Sequence, residues 1–243
     1  MVVKLIKLSS PLDLEANVRK FPVSTRLFVA GPSGSGKSTF VFKLISDPDK
    51  YFETPPRRII YYYKTRPHRD FENLLLKGNV EFRNTDPSEL VNELEKESLN
   101  SPGHTLVCID DGLNYTEKSS NSPIVSLFNR LSNHCSLSLI FCSQILFGGS
   151  TRNLRQIFLN CNAFALFGSS NDAHVAKTLS SRIFYDKPQF LPSALRQVKA
   201  RSPFTPLIVL TRPQIPSDDL RVFSGILKGL STLLVAFIVF CEN

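Results

Sequence analysis

The chain has 243 residues, of which 42% are hydrophobic, 10% aromatic and 21% charged. This balance supports one globular domain with a substantial apolar core and excludes a disordered chain, a collagen-like repeat and a small stapled peptide. Basic residues outnumber acidic ones 29 to 21, and the excess is C-terminal: residues 1–120 carry 17 against 16, residues 121–243 carry 12 against 5. Such a bias fits a densely anionic partner, nucleic acid first and an anionic membrane second, and equally a basic surface that only confers solubility.

Met1 to Lys20 alternates Val, Leu and Ile with Lys4 and Lys7 but has no uninterrupted apolar region and no small-residue cleavage site, so no secretory signal is expected. Leu27 to Ala30 is an apolar run that enters a glycine-rich turn. A helix over Lys37 to Ser46 follows, stopped by Pro48. Arg58 to Tyr63 is β-branched and aromatic and reads as a second strand, broken by Thr65-Arg66-Pro67. A short helix is predicted over Phe71 to Lys77, and Val80-Glu81-Phe82 is at most a small edge strand. Asp86-Pro87-Ser88-Glu89 has the form of a capping box and opens a charged helix to about Glu97, solvated on one face. Thr105 to Ile109 is a third strand. A helix over Pro123 to His134 leads into a fourth, Leu137 to Cys142; Ala163 to Phe167 and Leu207 to Leu210 are a fifth and a sixth. Near-continuous apolar strands alternating with helices predict a parallel sheet covered on both faces.

The five cysteines, Cys108, Cys135, Cys142, Cys161 and Cys241, show no C-x-x-C pair and read as free thiols in a reducing compartment, without a zinc site. His68, His104 and His174 stand alone and read as surface or loop groups. His134 and Cys135 are adjacent on one element and point apart, which excludes a catalytic dyad.

Gly31-Pro32-Ser33-Gly34-Ser35-Gly36-Lys37-Ser38 satisfies G-x-x-x-x-G-K-[ST], with an apolar strand before it and a helix, continuing at Thr39, after it. The glycines let successive backbone N–H groups curl around phosphate oxygens at a helix N-terminus. Lys37 would neutralise the β- and γ-phosphates and Ser38 would ligate magnesium. Asp110 and Asp111 end the third strand in the manner of a Walker B motif: Asp110 would hold the magnesium shell and Asp111 would orient or deprotonate the attacking water. Asp-Asp-Gly also begins ordinary turns, and it is the P-loop that favours Walker B. Gln144, at the end of the fourth strand, can bond the γ-phosphate or the water, or simply the backbone. Arg152 and Arg155, in the following loop and helix, can reach a neighbouring subunit's nucleotide or lie in solvent.

With these motifs in order, the chain from about Leu27 to Leu227 resembles the viral genome-packaging ATPases of the FtsK/HerA superfamily, in their poxvirus-type and polinton-type branch. Beyond the P-loop, the stretch from Ser132 to Phe147 is similar to that family's Ser-His-His segment, strand and Gln-x-Leu-Phe signature, with Asn133 replacing the first histidine. Arg155-Gln156-Ile157-Phe158-Leu159-Asn160 is similar to its Arg-x-Ile-x-Leu-Asn element, and Tyr61-Tyr62-Tyr63 to the aromatic end of its second strand. The resemblance implies a RecA-like P-loop NTPase of the ASCE type with a mainly parallel central sheet flanked by helices. It also implies ATP with Mg2+, a homo-oligomeric ring, double-stranded DNA and a capsid or portal component as partners, and Gln144 and Arg155 as catalytic residues, Arg155 in preference to Arg152. The implied setting is the nucleus or cytoplasm of an infected host cell, or the virion. Two other readings are a nucleotide kinase with a guanylate-kinase-like loop, which has no need of Asp111 or Gln144, and a nucleotide-switched adaptor without hydrolysis.

The expected organisation is an N-terminal extension (1–25), the ATPase domain (26–228) and an apolar tail (229–243). The run from Leu233 to Cys241 is shorter than the roughly 20 residues of a membrane-spanning helix, so the tail is expected to be buried or to contact another subunit rather than a membrane.

Overall fold

The computed structural model describes residues 2–7, 20–63, 80–85, 88–100, 103–112, 122–132, 136–144, 152–168, 173–184, 187–211, 222–224 and 234–239. In chain order the elements are β1 (Val2–Lys7), β2 (Arg26–Ala30), α1 (Lys37–Ser46), α2 (Pro48–Tyr51), β3 (Arg58–Tyr62), β4 (Val80–Arg83), α3 (Ser88–Asn100), β5 (Thr105–Ile109), α4 (Pro123–Ser126), β6 (Leu137–Ser143), α5 (Arg152–Asn160), β7 (Ala163–Leu166), α6 (Ala173–Ile183), α7 (Phe190–Arg201), β8 (Leu207–Leu210), β9 (Val222–Ser224) and β10 (Leu234–Val239).

By its contacts the chain divides into two units. One holds Arg19–Val29 and Lys37–Asn162, with strand order β2-β6-β5-β3-β4. The pairs β5–β6, β3–β5 and β3–β4 are all parallel. Of these strands β2, β3, β5 and β6 are buried on both faces, as their apolar runs require, and Leu137 to Ser143 is buried at every position. One strand, β6, separates β2, which leads into the P-loop, from β5, which leads into Asp110. This insertion is the topological mark of the ASCE class, and the chain has the α/β fold of RecA-like P-loop NTPases. Phe28 is central to the core, 5.4 Å from Phe141 and 5.9 Å, edge-on, from Phe158.

Pro48 ends α1 as expected and also opens α2 at its first position, where a missing N–H costs nothing. The predicted helix over 123–134 begins at Pro123 but widens to a π-turn over Leu127–Leu131. That turn buries Leu127, Phe128 and Leu131, and Phe128 meets the Phe141 ring edge-on at 6.1 Å. The charged helix α3 buries Leu90, Val91 and Leu94 and exposes Glu89, Asn92 and Lys96. Its Glu93 accepts from Arg83 (2.8 Å) and Arg58 (2.6 Å), which ties it to the edge strand β4. The predicted helix at 71–77 and the capping residues Asp86 and Pro87 lie outside the described residues.

The other unit holds the described residues of Met1–Val18, Ala30–Gly36 and Ala163–Asn243, with strand order β1-β10-β9-β8-β7. Here the parallel expectation does not apply: β7–β8, β8–β9, β9–β10 and β10–β1 are all antiparallel. The six residues of β10 fall inside the apolar tail, and those of β1 inside the N-terminal extension. The two pair with each other from Val2↔Val239 to Lys7↔Leu234. No helix among the described residues is long and apolar enough to cross a membrane.

Candidate nucleotide site

The loop Gly31–Gly36 joins β2 to α1. A Cβ on Gly31 would stand 2.5 Å from Phe167 Cβ and 2.9 Å from the Phe167 carbonyl oxygen, so only glycine lets the loop leave the strand against Phe167. Phe167 is held there by its N–H, which donates to Ala30 O at 2.8 Å. Gly36, at φ +100°, turns the chain into α1 through a conformation that other residues rarely adopt. Within the loop, Ser35 N–H donates to Pro32 O at 3.3 Å, and Pro32, Ser33 and Gly34 are exposed. The Ser35 hydroxyl is buried with no protein partner, an orphaned donor in a loop built to surround anions.

Lys37, Ser38 and Thr39 form the first turn of α1. Lys37 is buried to 9% exposure; loss of hydration lowers the pKa of its ammonium, and the nearby Asp110 and Asp111 carboxylates oppose that shift. An anionic phosphate in this position would compensate the buried cation. Ser38 Oγ donates to Asp110 Oδ2 at 3.0 Å, which brings the P-loop serine and the strand-end aspartate together across 72 residues of chain.

Both oxygens of Asp110 are held. Oδ2 also accepts from the Tyr61 hydroxyl at 2.7 Å, and Oδ1 accepts from the Asp111 N–H at 3.0 Å. The backbone around them is pinned to both neighbouring strands: Asp110 N–H donates to Tyr62 O and Gly112 N–H to Cys142 O, each at 2.9 Å. Asp111 takes a left-handed conformation, φ +50°, a strained position for a non-glycine residue of the kind that gathers at functional sites. Ser38 and Asp110 together offer the hard oxygen donors that magnesium takes when phosphate and water supply the remainder. Among the described residues no group of three or more His, Cys, Asp and Glu side chains forms a cation cage made of protein alone.

Tyr61 is the participant that residue patterning does not single out. Its ring is fully buried, stacked on Phe42 with centroids 5.2 Å apart, and tilted against Phe82 at 5.6 Å. Burial, reinforced by the Asp110 charge, raises its phenol pKa well above 10, so it remains a donor. The aromatic run that marks β3 as a strand carries no sign that one hydroxyl faces a carboxylate 49 residues away.

Gln144 follows directly on β6, two residues beyond the Cys142 carbonyl that receives Gly112, and is exposed. Arg152 and Arg155 are both exposed on α5, whose opposite face buries Asn153, Leu154, Ile157 and Phe158. The structure therefore gathers Lys37, Ser38, Asp110 and Tyr61, puts Asp111 beside them, and turns Arg155 to solvent. His104, read from the sequence as a surface or loop group, is instead buried. Its Nδ1–H donates to Thr54 O (2.6 Å), Nε2 accepts from the Ser138 hydroxyl (2.8 Å), and burial lowers its pKa. Cys108, Cys142 and Cys161 are buried and form no disulfide, and burial raises the thiol pKa of the first two. His174 is exposed; His68, His134, Cys135 and Cys241 lie outside the described residues.

No protein-family profile matches the chain, and no curated protein does. Solved structures do. The DNA-packaging ATPase B204 of Sulfolobus turreted icosahedral virus superposes with a TM-score of 0.53 at 12% identity, covering 79% of this chain and 95% of its own. The genome-packaging NTPase B204 of Sulfolobus turreted icosahedral virus 2, in complex with sulfate, gives 0.54 at 13% identity, covering 90% and 98%. The same protein in complex with AMPPCP gives 0.50 at 16%, covering 77% and 92%. At these identities the likeness is one of fold: this chain is built as they are.

Proposed function

We propose that this protein is an ATP-hydrolysing motor of the FtsK/HerA superfamily, in the branch it resembles by sequence, that drives double-stranded DNA into a viral capsid. The observation that carries the reading is the bond from Ser38 Oγ to Asp110 Oδ2, at 3.0 Å, at the tip of a strand one place removed from the P-loop strand. A turn that merely happened to contain two aspartates would have no reason to meet the P-loop serine. Packaging, rather than another ATP-driven task, is supported by the fold shared with the B204 packaging ATPases, by the Ser132 to Phe147 and Arg155 to Asn160 segments, and by the C-terminal basic excess.

In this mechanism the loop N–H groups and Lys37 bind the phosphates, and Ser38 and Asp110 would hold magnesium, which would supply charge neutralisation at the phosphates. Tyr61 and the Asp111 N–H keep the Asp110 carboxylate in one orientation. Asp111 takes a proton from, or orients, the attacking water, and Gln144 bonds the γ-phosphate or that water. Arg155, directed away from its own subunit, serves the neighbouring subunit's nucleotide in a ring. The partners are double-stranded DNA, further copies of this chain and a capsid or portal component, within an infected cell or the virion. ATP turnover measured with and without double-stranded DNA tests this: strong stimulation by DNA is expected, and phosphate transfer to GMP would replace the motor with a kinase.

A further inference from the structure

Phe204 is 66% exposed, more than Leu159 at 47%, the other large apolar side chain that faces solvent among the described residues. It lies between α7 and β8 in a turn over Ser202–Thr205 that is firmly held. Pro203, in the second position, fixes the entry into the turn. Thr205 N–H donates to Ser202 O at 3.1 Å, the two hydroxyls of Ser202 and Thr205 bond each other at 2.7 Å, and Ser202 N–H donates to Val198 O at 2.9 Å. This turn backs onto the P-loop: a Cβ on Gly36 would lie 3.7 Å from Phe204 O and 3.9 Å from Phe204 Cβ. An aromatic ring thus stands in water on a rigid support, beside the residue at which the phosphate loop becomes helix.

We propose that Phe204 is the stacking platform for the base of the bound nucleotide. The inference rests on the nucleotide-binding reading above and extends it from the phosphates to the base. A nucleotide with its phosphates against the N–H groups of Gly31–Gly36 carries its base one ribose away from that loop. Phe204 offers what a base needs there, an apolar π-face whose presentation costs little ordering because the turn is already fixed. Exposure of a phenylalanine is otherwise unfavourable, and coverage by a planar ligand removes the penalty. The ring has no hydrogen-bonding group, so its contribution is the same in kind for any purine base.

The test compares ATP with inorganic tripolyphosphate, which has the phosphates and no base, by calorimetric titration in the presence of Mg2+. Phe204→Ala should weaken ATP by about 5- to 150-fold, the range for loss of one base–aromatic stack, and leave tripolyphosphate binding unchanged. Unchanged tripolyphosphate binding also shows that the variant is folded. Because the chain contains no tryptophan, Phe204→Trp creates a single reporter: ATP should alter its fluorescence and tripolyphosphate should not. Wild-type ATP affinity in Phe204→Ala, or equal losses for ATP and tripolyphosphate, would overturn the platform while sparing the P-loop. Failure of the wild-type protein to bind either ligand would overturn the nucleotide-binding reading and this inference with it.

Discussion

Replacing Tyr61 by Phe removes one hydroxyl from the orientation of Asp110 and little else. The ring would keep its stack on Phe42 and its contact with Phe82, and Asp110 would keep its donors Ser38 Oγ and Asp111 N–H. A buried hydrogen bond to a charged group is worth about 1.5–3 kcal/mol, and the two surviving donors put this loss near the lower end, about 1.5 kcal/mol. For a chain of this length that is a fall in Tm of about 3–6 °C. If the same energy appears in the positioning of the carboxylate, the Mg2+ concentration that half-saturates ATP turnover rises by up to about tenfold. There is also a signature in alkali. Because the folded phenol pKa is raised above its ordinary value of 10, the associated stability is complete below pH 10 and is lost as pH rises through and beyond it. Thermal melts of the wild type should therefore decline more steeply above pH 10 than those of Tyr61→Phe. A variant with wild-type Tm and wild-type Mg2+ dependence would refute the role given to this tyrosine.

Asp111→Asn should bind ATP as the wild type does and lose turnover by about 10²- to 10⁴-fold, the usual worth of a general base; calorimetry and a phosphate-release assay separate the two. Arg155→Ala and Lys37→Ala, each inactive alone, should recover part of the activity when mixed, because some interfaces then pair an intact P-loop with an intact arginine; mixed oligomers without recovery would leave Arg155 outside catalysis. Glu93 has its pKa lowered to about 2, first by its bond from Arg83 and also by Arg58. The stability this confers is present above the ordinary carboxylate range and is lost as pH falls toward 2, so Glu93→Gln should flatten acid unfolding between about pH 4.5 and 2.

How far the sequence speaks depends on how local the determinant is. The P-loop and the Asp110-Asp111 strand end are legible because each is set within a few residues by backbone geometry and strand periodicity. The strand Arg58–Tyr62 declares itself by a β-branched and aromatic run, and Thr105–Ile109 and Leu137–Ser143 by near-continuous apolar ones. What is not legible is pairing at a distance. Nothing in Leu207–Leu210 tells a parallel from an antiparallel neighbour, and nothing in Tyr61 or His104 names the partner of its polar atom, 49 and 34 residues away. The π-turn at Leu127–Leu131 is hidden for another reason. Its apolar spacing is that of an α-helix, and only packing against Phe141 adds the extra residue to the turn.

The pairing of Val2–Lys7 with Leu234–Val239 bears on how the chain is made. A ribosome adding about 5–20 residues per second reaches Val239 roughly 10–50 s after it has finished Lys7. Throughout that interval the first strand lacks β10, its hydrogen-bonded strand neighbour among the described residues, and its backbone N–H and C=O groups are open to any other extended segment, including that of a second nascent copy. Closing the ladder then joins segments more than 200 residues apart, which places it among the late steps of folding. A fusion or truncation at either end of the chain is therefore felt at the other.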